Sequence, residues 1–429
     1  MTGREVVVVG LGAAGSSVLY QLARRGVSVL GVDRFQPPHD LGSTHGDTRI
    51  TREAIGEGGE YVPLVRRSME LWREIENASG LQLFTRTGAL ILGRPGELGA
   101  MHGKSDFVGR TIRAARDFGV THELVSADDV RERFPSFRTV GDEIAYHEPG
   151  AGFLRPERCV SAQLQLARSH GAEVRTDERV LSCRPRGAGV VVETAGAEYV
   201  ADRAVVCAGP WVAGLVSADL ARLFTVHRQV MHWFDVAEVY SRYAPDAFPV
   251  FVWERGRDGV IYGVPAVDGP TGGFKVAFEQ YDVATDPDAV VREVALGETS
   301  SMYERYVAPC FAGAGPACIR ATSCSYTCTP DFDFVIDDHP ESDRMLLVSA
   351  CSGHGFKHSA AIGEAAAQRV VDGRSALDLS AFALSRFAAL SAADQRAPII
   401  PRSRRSGRYR LDSRRNGGGN HEPGDAPVH

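Results

Sequence analysis

A β-branched run from Glu5 to Val9 stops at Gly10-Leu11-Gly12-Ala13-Ala14-Gly15, and apolar residues then recur at helical spacing from Ser16 to Arg25. Gly26 ends that helix and Val27 to Val32 reads as a second strand, so the chain opens β-α-β. Three glycines are a physical requirement in such a turn. Gly10 permits the tight bend, Gly12 lets the backbone approach a pyrophosphate, and Gly15 lets the helix pack close to the strand. The helix N-terminus then offers free N–H groups and its positive dipole end to the phosphates. Asp33, about twenty residues on, is placed to accept hydrogen bonds from ribose hydroxyls, and its charge disfavours a 2′-phosphate. The unit implies a Rossmann-like dinucleotide site and argues against NADP. By itself it does not separate FAD from NAD.

The remaining chain is long enough for more than this unit. Its 429 residues, 44% of them hydrophobic, suit two or three domains with a sizeable core. A formal net charge of −6 gives no electrostatic case for binding nucleic acid. No apolar run approaches the ~18 residues of a membrane span. The eight cysteines are scattered, without the spacing of a zinc site or a disulfide framework. They imply reduced thiols in a cytoplasmic protein with no bound metal. Periodicity predicts helices over 60–81, 156–169, 286–307 and 358–371, and strands at 88–92, 180–183, 190–194, 204–206 and 345–349. Between 226 and 283 the pattern is β-rich, with runs such as VMHWF, FPVFVW and GVIYGVP separated by Gly and Pro turns. Beyond Leu390, Arg, Gly and Pro dominate and little apolar surface remains to bury, so 391–429 is expected to be a disordered tail.

Five longer motifs occur in order. They are RFQPPHDLGSTHGDTRITREAIGEGGEYVPL from Arg34, HRQVMHWF from His227, IYGVP from Ile261 followed by GFKVAF, SCSYTCTPDFDFVIDDHP from Ser323, and SACSGHGFKHSAAIGE from Ser349. Through them the chain, over about residues 5–390, resembles the monomeric sarcosine oxidase and N-methyltryptophan oxidase family of FAD-dependent amine oxidases. That resemblance implies an α/β fold with a Rossmann-like FAD-binding domain of the glutathione-reductase type. Residues 1–83, 150–222 and 325–390 would form it, and 84–149 and 223–324 would form an inserted, β-rich substrate domain. It also implies a monomer that takes FAD, O2 and a small amine or amino-acid substrate.

The roles of single residues follow from the same resemblance. Cys324, in Cys-x-Tyr-Thr-x-Thr, matches the cysteine joined to the flavin by a thioether, which prevents cofactor loss and raises its potential. Cys328, four residues on, matches no cysteine of the pattern. Gly42 and Ser43 would turn past the pyrophosphate, with Arg34, Thr48, Val180 and Gly209 also beside the cofactor. Gly353, Gly355, Phe356 and Lys357 would bring backbone N–H groups to the flavin pyrimidine. His45 and Arg49 are expected close to the flavin ring. Arg52 and Lys357 would hold a substrate carboxylate, where a guanidinium fork gives two charge-assisted hydrogen bonds. Lys275, in GFKVAF, matches the lysine that activates oxygen, a cation placed for a developing superoxide. Tyr262 and Tyr326 would line the substrate site.

Two positions depart from the family pattern. Glu279 stands where a histidine follows the lysine by four residues, and His358 replaces an aromatic residue after Lys357. These departures bear on the substrate. The implied reaction is oxidation of a secondary or cyclic amino acid, with a hydride equivalent passing to flavin N5 and O2 restoring the flavin with release of H2O2. A biosynthetic oxidation of a cyclic imino acid, or of an aromatic or indole-type substrate, stays open beside it. So does a dehydrogenase that uses a carrier in place of O2, although Lys275 argues against the last.

Overall fold

The computed structural model describes residues 4–94 and 100–388; the tail expected at 391–429 lies outside them. The opening motif folds as Arg4–Val9, the helix Ala13–Ala23 and the strand Val29–Val32. Val6 to Val9 are buried on both faces, as expected for a parallel strand covered on both sides. An eight-stranded sheet grows from it. Its order is Glu173–Arg175, Val29–Val32, Arg4–Val9, Glu198–Val206, Gly189–Thr194 and Val180–Arg186, and Ser342–Ser349 also pairs with Glu198–Val206 and carries Val335–His339. The strands Glu173–Arg175, Val29–Val32, Arg4–Val9, Glu198–Val206 and Ser342–Ser349 are parallel to their neighbours in this run, while Gly189–Thr194 pairs antiparallel with Glu198–Val206; the parallel run points the glycine turn and the CAGPW turn toward one end of the sheet.

Helices Tyr61–Ser79, Pro156–Ser169 and Ser359–Asp372 pack with Ala13–Ala23 over one core containing Leu19, Trp72, Leu164 and Ile362. Small residues set the spacing. A Cβ on Gly363 would overlap Ser17 Oγ and lie 2.6 Å from the Ser17 carbonyl carbon. Ser17 in turn donates to the Ala360 carbonyl at 3.1 Å, so the two helices meet nearly backbone to backbone.

A second eight-stranded sheet runs Cys318–Cys328, Thr225–Phe234, Phe274–Phe278, Val260–Val264, Val250–Glu254, Ala89–Gly93, Ile144–Glu148 and Glu123–Ser126. One face packs on an aromatic cluster of Phe137, Phe248, Phe251, Trp253, Phe274 and Phe311. Its long pair registers Cys324 opposite Gln229, and Trp233 lies opposite Lys275 on the other side.

The reading of 286–307 as one helix does not hold. Helical backbone begins only at Leu296–Met302, continues as a π-helical turn through Tyr303–Val307, and leaves 280–295 irregular apart from one bridge between Ala284 and His227. The apolar spacing is there, but the carbonyls are used elsewhere. Arg228 donates to the carbonyls of Val291 (2.5 Å) and Glu293 (2.8 Å), while Arg292 reaches the carbonyls of Asp40 and Leu41. Asp288 is held by Arg34 at 2.6 Å and by Trp211 Nε1 at 2.7 Å.

The helix contact gives a stability test. Gly363→Val should destabilise the protein by about 1–3 kcal/mol, because the added carbons have no space between the helices. Urea unfolding monitored by circular dichroism measures this, and an unchanged midpoint would contradict the close packing.

Candidate active site

A cavity of about 690 Å³ extends from the glycine turn to the inner face of the second sheet. At its first end the backbone forms the cradle. A Cβ on Gly10 would lie 2.5 Å from the Cys207 carbonyl oxygen, and one on Gly15 would overlap the Gly10 carbonyl. Before Gly12 only Thr44 Oγ1 stands, at 3.5 Å, so that backbone faces open space at a helix N-terminus. Asp33 lies beside it; its carboxylate accepts from Leu11 N (2.6 Å) and Phe35 N (2.8 Å). Burial raises its pKa, and these two N–H groups oppose that shift. Gly42, Ser43, Arg34, Val180 and Gly209 line the same end, and the Ser43 hydroxyl is buried without a partner. Open space over a bare helix N-terminus, an acid for the ribose and an orphaned hydroxyl fit the phosphates and sugar of FAD.

The middle of the cavity collects the next group. Arg49 donates to the carbonyls of Thr48 (2.9 Å) and Ser43 (2.8 Å) and so pins the turn it belongs to. Lys275 projects from the strand Phe274–Phe278 and donates to Gly46 O (2.8 Å), Thr48 O (2.9 Å) and Thr48 Oγ1 (3.2 Å). Three acceptors match the three N–H bonds of an ammonium. Burial, then the Arg49 charge, nevertheless push its pKa well below the usual lysine range. Cys324 is buried on the wall, while Cys328 lies off it. Burial raises the Cys324 thiol pKa, and Arg49 and Lys275 oppose that rise. Cys351 also reaches the wall, its sulfur 3.4 Å from Thr327 N. His45 is buried and does not line the cavity; burial and Arg49 lower its pKa to about 3, so its ring is neutral. Gly15 and His45 are the two expected site residues absent from the wall.

The far end is a buried ionic cluster. Arg52 and Lys357, both expected at a substrate carboxylate, converge here on Glu57. Arg52 Nη2 lies 2.9 Å from Glu57 Oε2, and Lys357 Nζ lies 3.5 Å from Glu57 Oε1 and donates to His354 O at 2.9 Å. The Arg52 Nε–H remains unpartnered and buried. Burial alone would raise the Glu57 pKa, but Arg52 and Lys357 outweigh it and hold the carboxyl well below its usual range. Burial lowers the Lys357 pKa to about 8 despite Glu57.

His102 joins this cluster to Glu279. Its Nδ1 is 3.3 Å from Glu57 Oε1 and its Nε2 is 2.8 Å from Glu279 Oε1. Burial opposes the imidazolium, but Glu279 and Glu57 prevail and raise its pKa to about 9. Above it, Tyr262 and Tyr326 share a hydroxyl–hydroxyl hydrogen bond of 2.8 Å. Gly353, at φ +85°, presses on both His102 and Tyr326, where a Cβ would come within 2.7–3.0 Å. Gly355 and Phe356 complete that turn on the wall. His358 is fully buried behind it, tilted against Tyr61, and does not line the cavity.

Sequence reasoning assigned no role to Glu57 or His102. Glu57 sits in a loop clamped by Glu148, which accepts from Glu53 N and Ala54 N, and by Arg110, which donates to the carbonyls of Gly56 and Glu57. His102 occupies a two-residue hairpin turn with Gly103, both at positive φ. The His-Gly pair in Met101-His102-Gly103-Lys104 is a readable hairpin signal, though it carries no chemistry by itself.

A family model described as FAD dependent oxidoreductase matches residues 5–369. The chain belongs to the FAD-dependent oxidoreductase family. Monomeric sarcosine oxidase of Streptomyces avermitilis is 37% identical over 389 residues, covering 90% of this chain and 99% of that one. N-methyl-L-tryptophan oxidase of Yersinia pestis is 34% identical over 384 residues, covering 89% and 99%. Among solved structures, NikD, an unusual amino acid oxidase essential for nikkomycin biosynthesis, superposes with a TM-score of 0.75 at 21% identity, covering 89% of this chain and 98% of its own. Glycine oxidase from Geobacillus kaustophilus superposes at 0.70 and 20% identity, covering 90% and 99%. These two likenesses show the fold. Among the described residues no helix is long and apolar enough to cross a membrane.

The position of His102 predicts how the stability of this FAD-dependent oxidoreductase varies with pH. With its pKa raised to about 9, the stabilisation is full below about pH 6.5 and is lost as pH rises toward 9. Lys357, lowered to about 8, acts in the opposite sense only above pH 8. Between pH 6.5 and 8 the wild type should therefore lose up to about 2 kcal/mol that His102→Asn does not lose. Urea midpoints at the two pH values check this; parallel slopes would contradict it.

Proposed function

We propose that this chain is an FAD-dependent oxidase of secondary or cyclic amino acids, acting as a cytoplasmic monomer and releasing H2O2. One observation carries the reading. A single continuous cavity joins a dinucleotide cradle at Gly10 and Gly12 to two buried cations, Arg52 and Lys357. A site that needs only a dinucleotide has no use for two cations so far from its phosphates. The names and extent of the sarcosine and N-methyltryptophan oxidase relatives support it.

Bound FAD supplies a two-electron acceptor for an amine C–H bond and a route for those electrons to O2. The protein's own part is binding and placement. Arg52, through its unpartnered Nε–H, and Lys357 receive the substrate carboxylate. Fixing that end orients the amine carbon toward the middle of the cavity, an entropic gain over free encounter. Tyr262, Tyr326 and the apolar wall of Met101 and Val252 keep water from the reacting carbon. His45, neutral and off the wall, supports the Arg49 turn, a role more modest than direct contact with the flavin. Lys275 stands ready to stabilise negative charge on oxygen, and its three protein acceptors keep it in place. Cys324 carries the flavin as a thioether; it lies on the wall beside Arg49 and Lys275, whose charges favour the thiolate.

Three measurements test this. The purified protein should release H2O2 with sarcosine or another N-methyl amino acid, and its yellow colour should stay with the acid precipitate. Cys324→Ala should release that colour to the supernatant while Cys351→Ala keeps it in the pellet; the reverse pattern would move the link to Cys351. Lys275→Met should slow reoxidation of the reduced enzyme by O2 at least about a hundredfold, and slow anaerobic reduction by substrate much less. Stopped-flow absorbance separates the two half-reactions, and an unchanged oxygen rate would remove Lys275 from that role.

A further inference from the structure

Asp288 gathers three donors that lie far apart in the chain. Its Oδ1 accepts from Arg34 Nη1 at 2.6 Å and from Trp211 Nε1 at 2.7 Å, and its Oδ2 lies 3.9 Å from Arg179 Nη2. All four residues line the cavity. Each donor belongs to a different piece of the adenosine end. Arg34 follows Asp33, the acid placed for the ribose. Arg179 sits beside that acid, because Glu178 N donates to Asp33 O at 3.0 Å. Trp211 lies in the turn that starts at Gly209. The Arg34 guanidinium lies 5.1 Å from the Phe35 ring centroid and 5.6 Å from that of Trp211, so the donors and the two rings pack as one wall.

Asp288 itself is held from the second sheet. Thr285 N donates to Val226 O, on the strand Thr225–Phe234, at 2.8 Å, and Asp288 N donates to Asp286 Oδ1 at 2.8 Å. Four residues on, Arg292 donates to the carbonyls of Asp40 and Leu41, just ahead of Gly42 and Ser43. Ser323, the neighbour of Cys324, donates to the Arg292 carbonyl at 3.2 Å. The segment is thus anchored to one sheet, while its side chains hold the cofactor loops of the other. Without Asp288, Arg34 and Arg179 would lose the carboxylate they share and the indole its acceptor, and the long side chains would regain rotamer freedom. A dinucleotide would then have to order that wall as it binds, at a cost to its affinity.

We infer that Asp288 is a positioning residue for the cofactor: it fixes the wall at the adenosine end beforehand and so slows the loss of FAD. The inference needs only the FAD of the family and does not depend on which amine is oxidised.

The test uses the holoenzyme without its thioether, Cys324→Ala, or Cys351→Ala should the link lie there. Release of FAD on dilution is followed by the rise of flavin fluorescence. In that background Asp288→Ala should speed release about five- to twentyfold, the lower part of the range for a charge-assisted hydrogen bond because the carboxylate is partly exposed. Trp211→Phe, which keeps an aromatic ring and removes the donor, should speed release by a smaller factor. The two changes together should do less than the product of their separate effects. Val283→Ala, at an exposed residue of the same segment outside the cavity wall, should leave the rate unchanged. The visible spectrum of the flavin still bound should match the parent in every variant, because the change lies at the adenosine end.

An unchanged release rate in Asp288→Ala overturns the inference. So do independent effects of the two changes, a comparable acceleration by Val283→Ala, or a shifted flavin spectrum, which would mark a general loosening of the site. If Asp288→Ala does not fold, Trp211→Phe decides, and release at the parent rate overturns the inference. A protein that holds FAD in this way but oxidises no N-methyl amino acid removes the oxidase reading and leaves this inference standing.

Discussion

Glu57 is a buried carboxylate beside three cationic groups, and the substrate end of the cavity depends on it. Arg52, Lys357 and His102 each lie within 3.5 Å of its oxygens. Removing a lone partner from such a buried cluster typically costs about 3–5 kcal/mol, since the remaining charges lose both water and counter-ion. The protein therefore spends further interactions on keeping Glu57 in place. Glu148 accepts the backbone N–H groups of Glu53 and Ala54, Tyr146 donates to the same carboxylate, and Arg110 ties down the carbonyls of Gly56 and Glu57. The resulting loop is rigid where its charge has to be exact in position.

The two ends of the cavity solve opposite problems. At the glycine turn the backbone does the binding, and side chains are absent because any Cβ on Gly10 or Gly15 would collide with a carbonyl. At the Glu57 end side chains do the binding, and they come from a loop, a hairpin turn, a strand end and a helix N-terminal turn. The irregular segment 280–295 is fastened by Asp288 to Arg34 and Trp211 and by Arg292 to the 40–41 carbonyls. Its residues Ala284 to Asp288 form part of the wall.

What could be read from the sequence was whatever is local. The β-α-β opening rests on spacing and glycine stereochemistry within thirty-three residues, and Arg4–Val9, Ala13–Ala23 and Val29–Val32 follow it closely. Pro156–Ser169 begins at its proline as N1 chemistry requires. Long-range competition defeated the same logic at 286–307, where Arg228 from a distant strand takes the carbonyls a helix would use. Cys324 and Cys328 were told apart in the sequence only by the resemblance; the physical difference is spatial, since both share a strand and are buried, yet only the former reaches the cavity. His102 was invisible for a related reason. A histidine in a hairpin turn acquires chemical meaning only when Glu57 and Glu279, from two other parts of the chain, close on its two nitrogens.

That closure couples positions far apart in the chain. With His102 protonated between two carboxylates, a change at 279 to a neutral residue leaves an imidazolium with half its counter-charge, and a change at 102 leaves a buried Glu279 with none. Either step alone leaves an unbalanced charge in a desolvated site and costs stability. Positions 102 and 279 are thus energetically coupled: what a change at one costs depends on the residue at the other, so the effects of the two single changes do not add.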